Sequence, residues 1–365
     1  MNYYIRLISN KPKEDINEIV EKMGYRNIAP NTTSNSGIGH FFTKLMACFF
    51  ILLRMKRNDR LLIQYPMKKF VTPATLCAHL KGAKVVVLIH DLGCFRRKKL
   101  TVAHEMRRMN RIDYIIAHNE KMKQFMQENG CKTPIRCLGI FDYLSPAQPK
   151  KAHASASSKP AIPSVVYAGG LGYSRNPFLY ELDALMDGWQ LELFGKQFDE
   201  ERAQGWKHIH FNGLLPPDKL LAEADGDFGL VWDGNSVDEC SGDWGEYLRV
   251  NNPHKTSFYL RAFMPVIIWK QAALAPFILE NKCGIAVDSL RDINSTLAHL
   301  TDAEYKEMQE NARRVGTLIS QGHFTQTALS FSATFGVIRT KCRNRKGILL
   351  FWKQGRCRWH SCHRW

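Results

Sequence analysis

Short, unbroken runs of Val, Ile and Leu recur along this chain and limit its fold more than any other feature. RLLIQYP (60–66) and KVVVLIHDL (84–92) do not alternate apolar with polar residues, so a strand formed from either must be covered on both faces. DYIIAH (113–118) continues the series. Helical patterns fall between them at 73–81 and 99–108, and a third at 119–130 is framed by Asn119 as a candidate N-cap and Gly130 as a terminator. Right-handed crossovers between such strands build a mostly parallel, doubly wound α/β sheet over residues 1–144.

The rhythm stops at SPAQPKKAHASASSKPAI (145–162), which has no period that could bury a face and reads as an interdomain linker. It resumes in SVVYAGG (164–170), LELFGK (191–196), IHFNG (209–213), FGLVWDG (228–234), PVIIW (265–269) and GIAVD (284–288). Helices fit 176–186, 217–224, 254–263, 273–281 and 302–320. A chain of 365 residues is long for a single core. The expected architecture is two facing Rossmann-like domains, residues 1–144 and 163–335, with a ligand cleft between the carboxyl edges of their sheets, and a basic, aromatic tail at 336–365.

Charge divides along the same boundaries. Residues 1–150 hold 26 Lys and Arg against 11 Asp and Glu, residues 151–335 hold 16 against 23, and residues 336–365 hold 9 against none. The basic portions suit an anionic surface, set against the plain alternative of a solubilising excess. Nucleic acid is set aside as the partner, because its binders do not usually leave a mildly acidic domain between basic ones; an anionic membrane surface is retained. FFTKLMACFFILLRMK (41–56) is strongly apolar but shorter than the about 20 residues that span a bilayer, and it carries Lys44, so a core helix is expected before an interfacial one. In the tail, cations alternate with Trp352, Trp359 and Trp365, which suits a lipid interface and equally a non-native extension. The start MNYYIRLISNKPKED lacks the regions of a secretory signal, and the cysteines from Cys48 to Cys283 have no paired spacing, so free thiols in a cytoplasmic setting are expected.

Two segments carry candidate chemistry. In AGGLGYSRNPFL (168–179), Gly169, Gly170 and Gly172 follow a strand and precede a helix, where the backbone can approach a phosphate and Arg175 can add a charge; such turns also serve as plain tight connections. In GEYLRVNNPHKTSFYLRAFMPVIIW (245–269), Asn251, Asn252 and Pro253 break the chain before a helix beginning near His254, with Lys255, Thr256 and Ser257 in its first turn. A lysine there opposes the helix dipole unless an anion neutralises it, and a diphosphate would do so, aided by the helix amides and two hydroxyls; the alternative is a solvated lysine. Asp91, just past the VVVLI strand, is the preferred general base and His90 the second choice, against the reading that Asp91 only caps a turn. Backbone near Phe194 and Gly195, with the ring of Tyr247 or Trp232, is expected to meet a nucleotide base and ribose. DGNSVDECSGDWGE (233–246) lacks the ligand spacing of a metal site and reads as a solvated acidic loop, from which Asp233 and Glu246 could reach sugar hydroxyls.

At VNNPHKTSFYLRAFMPVIIWKQAALAPFILENKCGIAVDSL the chain resembles the donor-binding segment of the bacterial glucosyltransferase and galactofuranosyltransferase family related to streptococcal glucosyltransferase 3. AGGLG (168–172, including Leu171), FGLVWDG and IHDLGCFR (89–96) extend the resemblance over about residues 1–335. The resemblance implies a GT-B fold and transfer of a hexosyl unit, glucose or galactofuranose/galactose, from a UDP-sugar to a glycan, lipid-linked or protein-linked hydroxyl. It implies no cofactor and no required metal, and it favours inversion at the anomeric carbon. The family's first loop carries an asparagine and a glycine that touch the nucleotide; ISNKPKED keeps Asn10 and has no glycine. The other readings are a non-catalytic nucleic-acid- or membrane-binding module and a sugar-nucleotide epimerase of the same architecture. The sugar, acceptor, linkage and oligomeric state, a homo-oligomer included, are not fixed by these residues.

Overall fold

The computed structural model describes residues 1–7, 9–30, 37–96, 100–151 and 158–330. Among these, twelve strands form two six-stranded sheets in which every neighbouring pair is parallel. The first contains β1 (Asn2–Tyr4), β2 (Arg26–Asn27), β3 (Arg60–Tyr65), β4 (Lys84–Ile89), β5 (Tyr114–Ala117) and β6 (Ile135–Cys137), in the order β2-β1-β3-β4-β5-β6. The second contains β7 (Ser164–Gly170), β8 (Gln190–Lys196), β9 (Ile209–Phe211), β10 (Phe228–Val231), β11 (Val266–Trp269) and β12 (Gly284–Val287), in the order β12-β11-β10-β7-β8-β9. Both are doubly wound. The chain reverses direction between β1 and β3 in one sheet and between β7 and β10 in the other, and the loops leaving the carboxyl ends of those strands diverge to open a crevice.

The apolar runs do what their lack of alternation requires. Along β4, Val85, Val87 and Ile89 enter one buried cluster while Val86 and Leu88 enter the cluster on the opposite face. The strands also stop before the runs do, so His90 and Asp91 lie beyond β4, and Trp232 and Asp233 beyond β10. These residues stand at the crevice edge.

Two elements depart in part from expectation. The segment 323–330 is helical and packs back on the first domain, where Ala328 and Leu329 join Tyr4, Ile16 and Val20 and the Asp142 carboxylate accepts the amides of Phe324 (3.2 Å) and Thr325 (2.7 Å). The apolar stretch at 41–56 forms the helix Gly37–Arg54, which is a core helix on one face only: Ala47 and Ile51 enter the first domain's core and Thr43 and Lys44 are buried, while Phe41, Phe42, Leu45, Phe49 and Leu53 turn to solvent. The expected tail, 336–365, lies outside the described residues, as do 331–335 and part of the expected linker, 152–157.

Gly195 has a packing role rather than a contact role. It pairs with Gly169 across β7 and β8, and a Cβ there would sit 1.9 Å from the Gly169 carbonyl oxygen. The atoms nearest a Cβ at Gly170 belong to the Arg175 side chain, the first at 3.3 Å, and a side chain can move. Gly195→Ala is expected to cost about 3 kcal/mol of stability and Gly170→Ala less than about 1 kcal/mol. Urea denaturation of both variants checks this, and an unshifted midpoint for Gly195→Ala would refute the close-approach argument.

Candidate functional site

A cavity of about 230 Å³ lies where the carboxyl edges of the two sheets face each other. The first domain contributes Asn10, Pro12, His90, Asp91 and Phe141; the second contributes Arg175, Asp233, Trp244, Tyr247, Leu248 and the run Asn251 to Lys255. The expected groups Asn10, His90, Asp91, Arg175, Tyr247, Asn251, Asn252, Pro253, His254 and Lys255 are thus brought to one place.

At its floor the Asp233 carboxylate receives Arg175 Nη2 at 3.0 Å and Lys255 Nζ at 2.9 Å. The Lys255 and Asp233 side chains keep only 11% and 6% of their exposure. Burial opposes ionisation of Asp233, yet Lys255 and Arg175 together hold its carboxyl below the usual range. Burial pulls the Lys255 ammonium down, with Asp233 working against it. The ammonium also donates to the Trp232 carbonyl at 3.1 Å and lies 4.2 Å from the centre of the Tyr167 ring, while the Arg175 guanidinium stacks 3.9 Å from the Trp244 ring. Lys255 is therefore not a solvated lysine. Its counter-ion within the chain is Asp233, from the stretch expected to be a solvated loop.

Asn176 braces this arrangement. Fully buried, it donates to the Gly170 carbonyl (2.8 Å) and the Tyr167 hydroxyl (3.1 Å) and accepts from the Gly234 amide (3.0 Å), which ties the loop after β7 to the loop after β10. Neither it nor Trp244 was singled out in the sequence. Asn176 lies within the same AGGLGYSRNPFL motif, in the Asn-Pro pair directly after Arg175.

The helix His254–Arg261 begins at Pro253, which offers no side-chain cap for the first-turn amides. Successive residues turn by about 100° around a helix, so His254 and Lys255 face the cavity while Thr256 and Ser257 rotate into the core and do not line it. Asn251 Oδ1, His254 Nε2, Thr256 Oγ1, Ser257 Oγ and Arg175 Nε are buried without a hydrogen-bond partner in the chain. Three of these atoms, on Asn251, His254 and Arg175, belong to residues that line the cavity, where unsatisfied polar groups suit a polar ligand; those of Thr256 and Ser257 lie in the core. Asn252, by contrast, is occupied: it donates to the carbonyls of His118 (3.0 Å) and Gly139 (2.8 Å), and its oxygen accepts from Asn119 (2.7 Å). Its amide donates to His118 Nδ1 at 2.9 Å. The Tyr247 hydroxyl accepts the Leu92 amide at 3.0 Å. Asn252 and Tyr247 therefore join the domains.

On the opposite wall, the amides of Gly93 and Cys94 are accepted by the buried Glu105 carboxylate at 2.7 and 2.8 Å, so Glu105 caps the turn that follows Asp91. Near Asp91 lies Lys13, which the sequence reading missed. Its ammonium donates to the Pro66 carbonyl at 3.2 Å, and burial draws it down to about 8, with attraction from Asp91 opposing that and Lys44 adding to it. His90 Nε2 is 2.8 Å from Gln64 Oε1; the Gln64 amide nitrogen donates to Asn17 Oδ1, so His90 Nε2 carries the proton and Nδ1 the lone pair. Burial pushes this imidazole well below its ordinary value.

The expected base and ribose contacts at Phe194 and Gly195 are not in the cavity wall, nor are Gly169, Gly170 and Leu171. Leu171 and Phe194 belong to the second domain's core, and Trp232 is buried against Trp269 with its indole donating to the Ser236 carbonyl. Gly169 and Gly170 instead border Lys255 and Arg175 from behind. Among the described residues, no group of three or more His, Cys, Asp and Glu side chains could hold a metal ion.

Three buried histidines make stability depend on pH. Burial pushes His118 and His254 down to about 3 and His90 well down from their ordinary 6.5. Below pH 6.5 the unfolded chain binds protons that the folded protein refuses, so stability falls with acid by about 1.4 kcal/mol per pH unit for each histidine. Asp15 and Asp142, raised by burial from 3.8 to about 6, act in the opposite sense between those values. Three groups against two leave a net loss. Thermal melts at pH 7, 6 and 5 should show a falling midpoint, and a rising one would contradict neutral buried histidines.

Residues 4–140 match the family Glucosyltransferase 3-like, N-terminal domain, and residues 165–331 its C-terminal domain. The beta-1,6-galactofuranosyltransferase WbbI of Escherichia coli (strain K12) is 32% identical over 279 residues, 76% of this chain and 80% of that protein. Glucosyltransferase 3 of Streptococcus gordonii is 28% identical over 254 residues, 68% and 70% respectively. Of solved structures, trehalose-6-phosphate from E. coli bound with UDP-2-fluoro glucose covers 90% of this chain and 98% of that one with a TM-score of 0.58 at 12% identity. The alpha,alpha-trehalose 6-phosphate synthase from Burkholderia multivorans covers 86% and 78% with a TM-score of 0.55, also at 12% identity. At that identity the structural likeness speaks for fold alone. With both of its halves matched and two named transferases as relatives, the chain belongs to the glucosyltransferase 3-like family and is a glycosyltransferase of GT-B fold.

Proposed function

We propose that this glycosyltransferase moves glucose or galactofuranose/galactose from a UDP-sugar to a hydroxyl of a glycan, lipid-linked or protein-linked acceptor, without a metal, at the cytoplasmic face of a membrane. The reading rests on Lys255 and Arg175, two cations gathered by Asp233 beside an uncapped helix start at the cavity floor. A diphosphate needs positive charge and amide donors at that kind of position. The relatives' names supply the two candidate sugars.

In this reading, the bond between the anomeric carbon and the diphosphate oxygen breaks, and the electron pair leaves with UDP. Lys255, Arg175 and the first-turn amides stabilise the charge that develops there. The acceptor oxygen forms the new bond to the anomeric carbon, and its proton passes to the Asp91 carboxylate across the cleft. The Lys13 ammonium supplies positive potential beside that carboxylate. His90 is a second candidate base, because its Nδ1 carries a lone pair.

Replacing Lys255 alone would leave Asp233 buried with one partner and weaken the fold as well. The double change Lys255→Met with Asp233→Asn removes both charges. It is expected to fold and to bind UDP roughly 10- to 150-fold more weakly, the worth of one charge-assisted contact. Calorimetric titration with UDP decides this, and undiminished affinity would take Lys255 out of the donor site. Asp91→Asn should keep UDP affinity and lose about 10²–10⁴-fold in turnover; if sugar transfer continues at the normal rate, the base is another group and His90→Ala becomes the next variant.

A further inference from the structure

The helix Gly37–Arg54, which packs Ala47 and Ile51 on the domain, turns its largest apolar side chains away from it. Phe41, Phe42, Leu45, Phe49 and Leu53 are between 48% and 62% exposed, whereas its polar Thr43 and Lys44 are buried beneath it. The neighbouring helix Val71–Leu80 extends the patch through Leu80, which is 80% exposed. Contiguous exposed apolar surface of this kind marks a partner or a membrane.

The surrounding charge says which. Residues 37–84 contain nine Lys and Arg against one acid, Asp59, and Asp59 is buried and paired with the amino terminus. Arg54, Lys56 and Arg57 at the end of the first helix are exposed, whereas Lys84, after the second, is paired with Asp113 at 2.8 Å. A second copy docked symmetrically on this face would bring two such sets of cations together, which like-charge repulsion opposes. Anionic headgroups above an acyl layer complement both features.

We propose that this face seats the protein on an anionic lipid bilayer, with the helix Gly37–Arg54 lying in the interface, its aromatic and aliphatic side chains among the acyl chains and the flanking cations among the headgroups. It lies on the membrane rather than through it: one side of the helix is packed on the domain, and among the described residues no helix is long and apolar enough to cross a membrane. The patch also adjoins the cleft. The Phe41 ring is 5.5 Å from that of Phe70, which follows the carboxyl end of β3, where Lys13 bonds the Pro66 carbonyl. A lipid-held acceptor would therefore meet the cavity edge that carries Asp91; this last clause rests on the function proposed above, and the docking surface does not.

The test uses the full chain and the variant Phe42→Ser, Leu45→Ser, Phe49→Ser, whose sites are exposed and whose melting temperature verifies the fold. Both are sedimented with phosphatidylglycerol–phosphatidylcholine vesicles and with phosphatidylcholine vesicles alone, and both are assayed for UDP release with a short soluble acceptor. The unaltered chain should bind the anionic vesicles, with binding falling as salt rises. The variant should partition at least about tenfold less while releasing UDP at the same rate. Equal vesicle binding by variant and unaltered chain would overturn the proposal by placing the contact elsewhere. So would equal binding to both vesicle types, binding to neither, or a change in oligomeric state, measured by sedimentation velocity, with vesicle binding unaltered. Absence of UDP release from both proteins would count against the glycosyltransferase mechanism and leave the vesicle result standing.

Discussion

The Asp233 carboxylate, with Lys255 and Arg175 each within 3.0 Å, holds together parts of the second domain that are far apart in sequence. Asp233 follows β10, Arg175 follows β7, and Lys255 opens a helix, so the ionic cluster sits at the reversal point of the sheet. Buried ions are costly unless every partner is placed, and Asn176 and Gly234 supply the hydrogen bonds that place these. Apolar residues of similar volume would pack there at less cost. Charges retained in a buried cleft at a topological switch point are the pattern expected of a site that must meet an anion.

The same cluster explains an apparent contradiction in the charge distribution. The domain with the acidic surplus carries the cations proposed to meet the diphosphate, because the surplus lies mostly on its surface while the two cations are drawn inward by a single carboxylate. Part of the basic surplus of the first domain lies on a different surface, beside exposed apolar side chains rather than at the cavity floor. Net charge alone could not separate these two uses.

The strands were legible where their chemistry was one-sided. KVVVLI has no polar register, so only burial on both faces accommodates it, and β4 is found there. The segment from Asn251 to Lys255 was legible because a lysine at a helix start demands an anion. That the chain itself supplies one from Asp233 was not, since spacing along the sequence does not report which loop ends converge. Thr256 and Ser257 were misplaced for a local reason: helical rotation carries them into the core. The helix Gly37–Arg54 is apolar on nearly every side, so its sequence could not say which side faces the domain. β2, two residues long, and the return of 323–330 to the first domain are set by tertiary packing and leave no period to read.

The reacting groups proposed here lie on different domains, so their separation depends on the seam. The seam is made by their immediate neighbours in the chain: Leu92, next to Asp91, donates its amide to Tyr247, and Asn252, three residues before Lys255, bonds the backbone and ring of His118. His118 in turn donates to the carbonyl of Ile89, two residues before Asp91. These contacts connect the loop after β4, which carries Asp91, to the segment that leads into the Lys255 helix through one hydrogen bond on one route and two in series on the other. Orienting two partners accelerates a transfer only when their geometry is held within a fraction of an ångström. A seam that borders the cavity on both sides of the reacting atoms holds that geometry more tightly than a hinge elsewhere in the linker could, because little flexible chain intervenes.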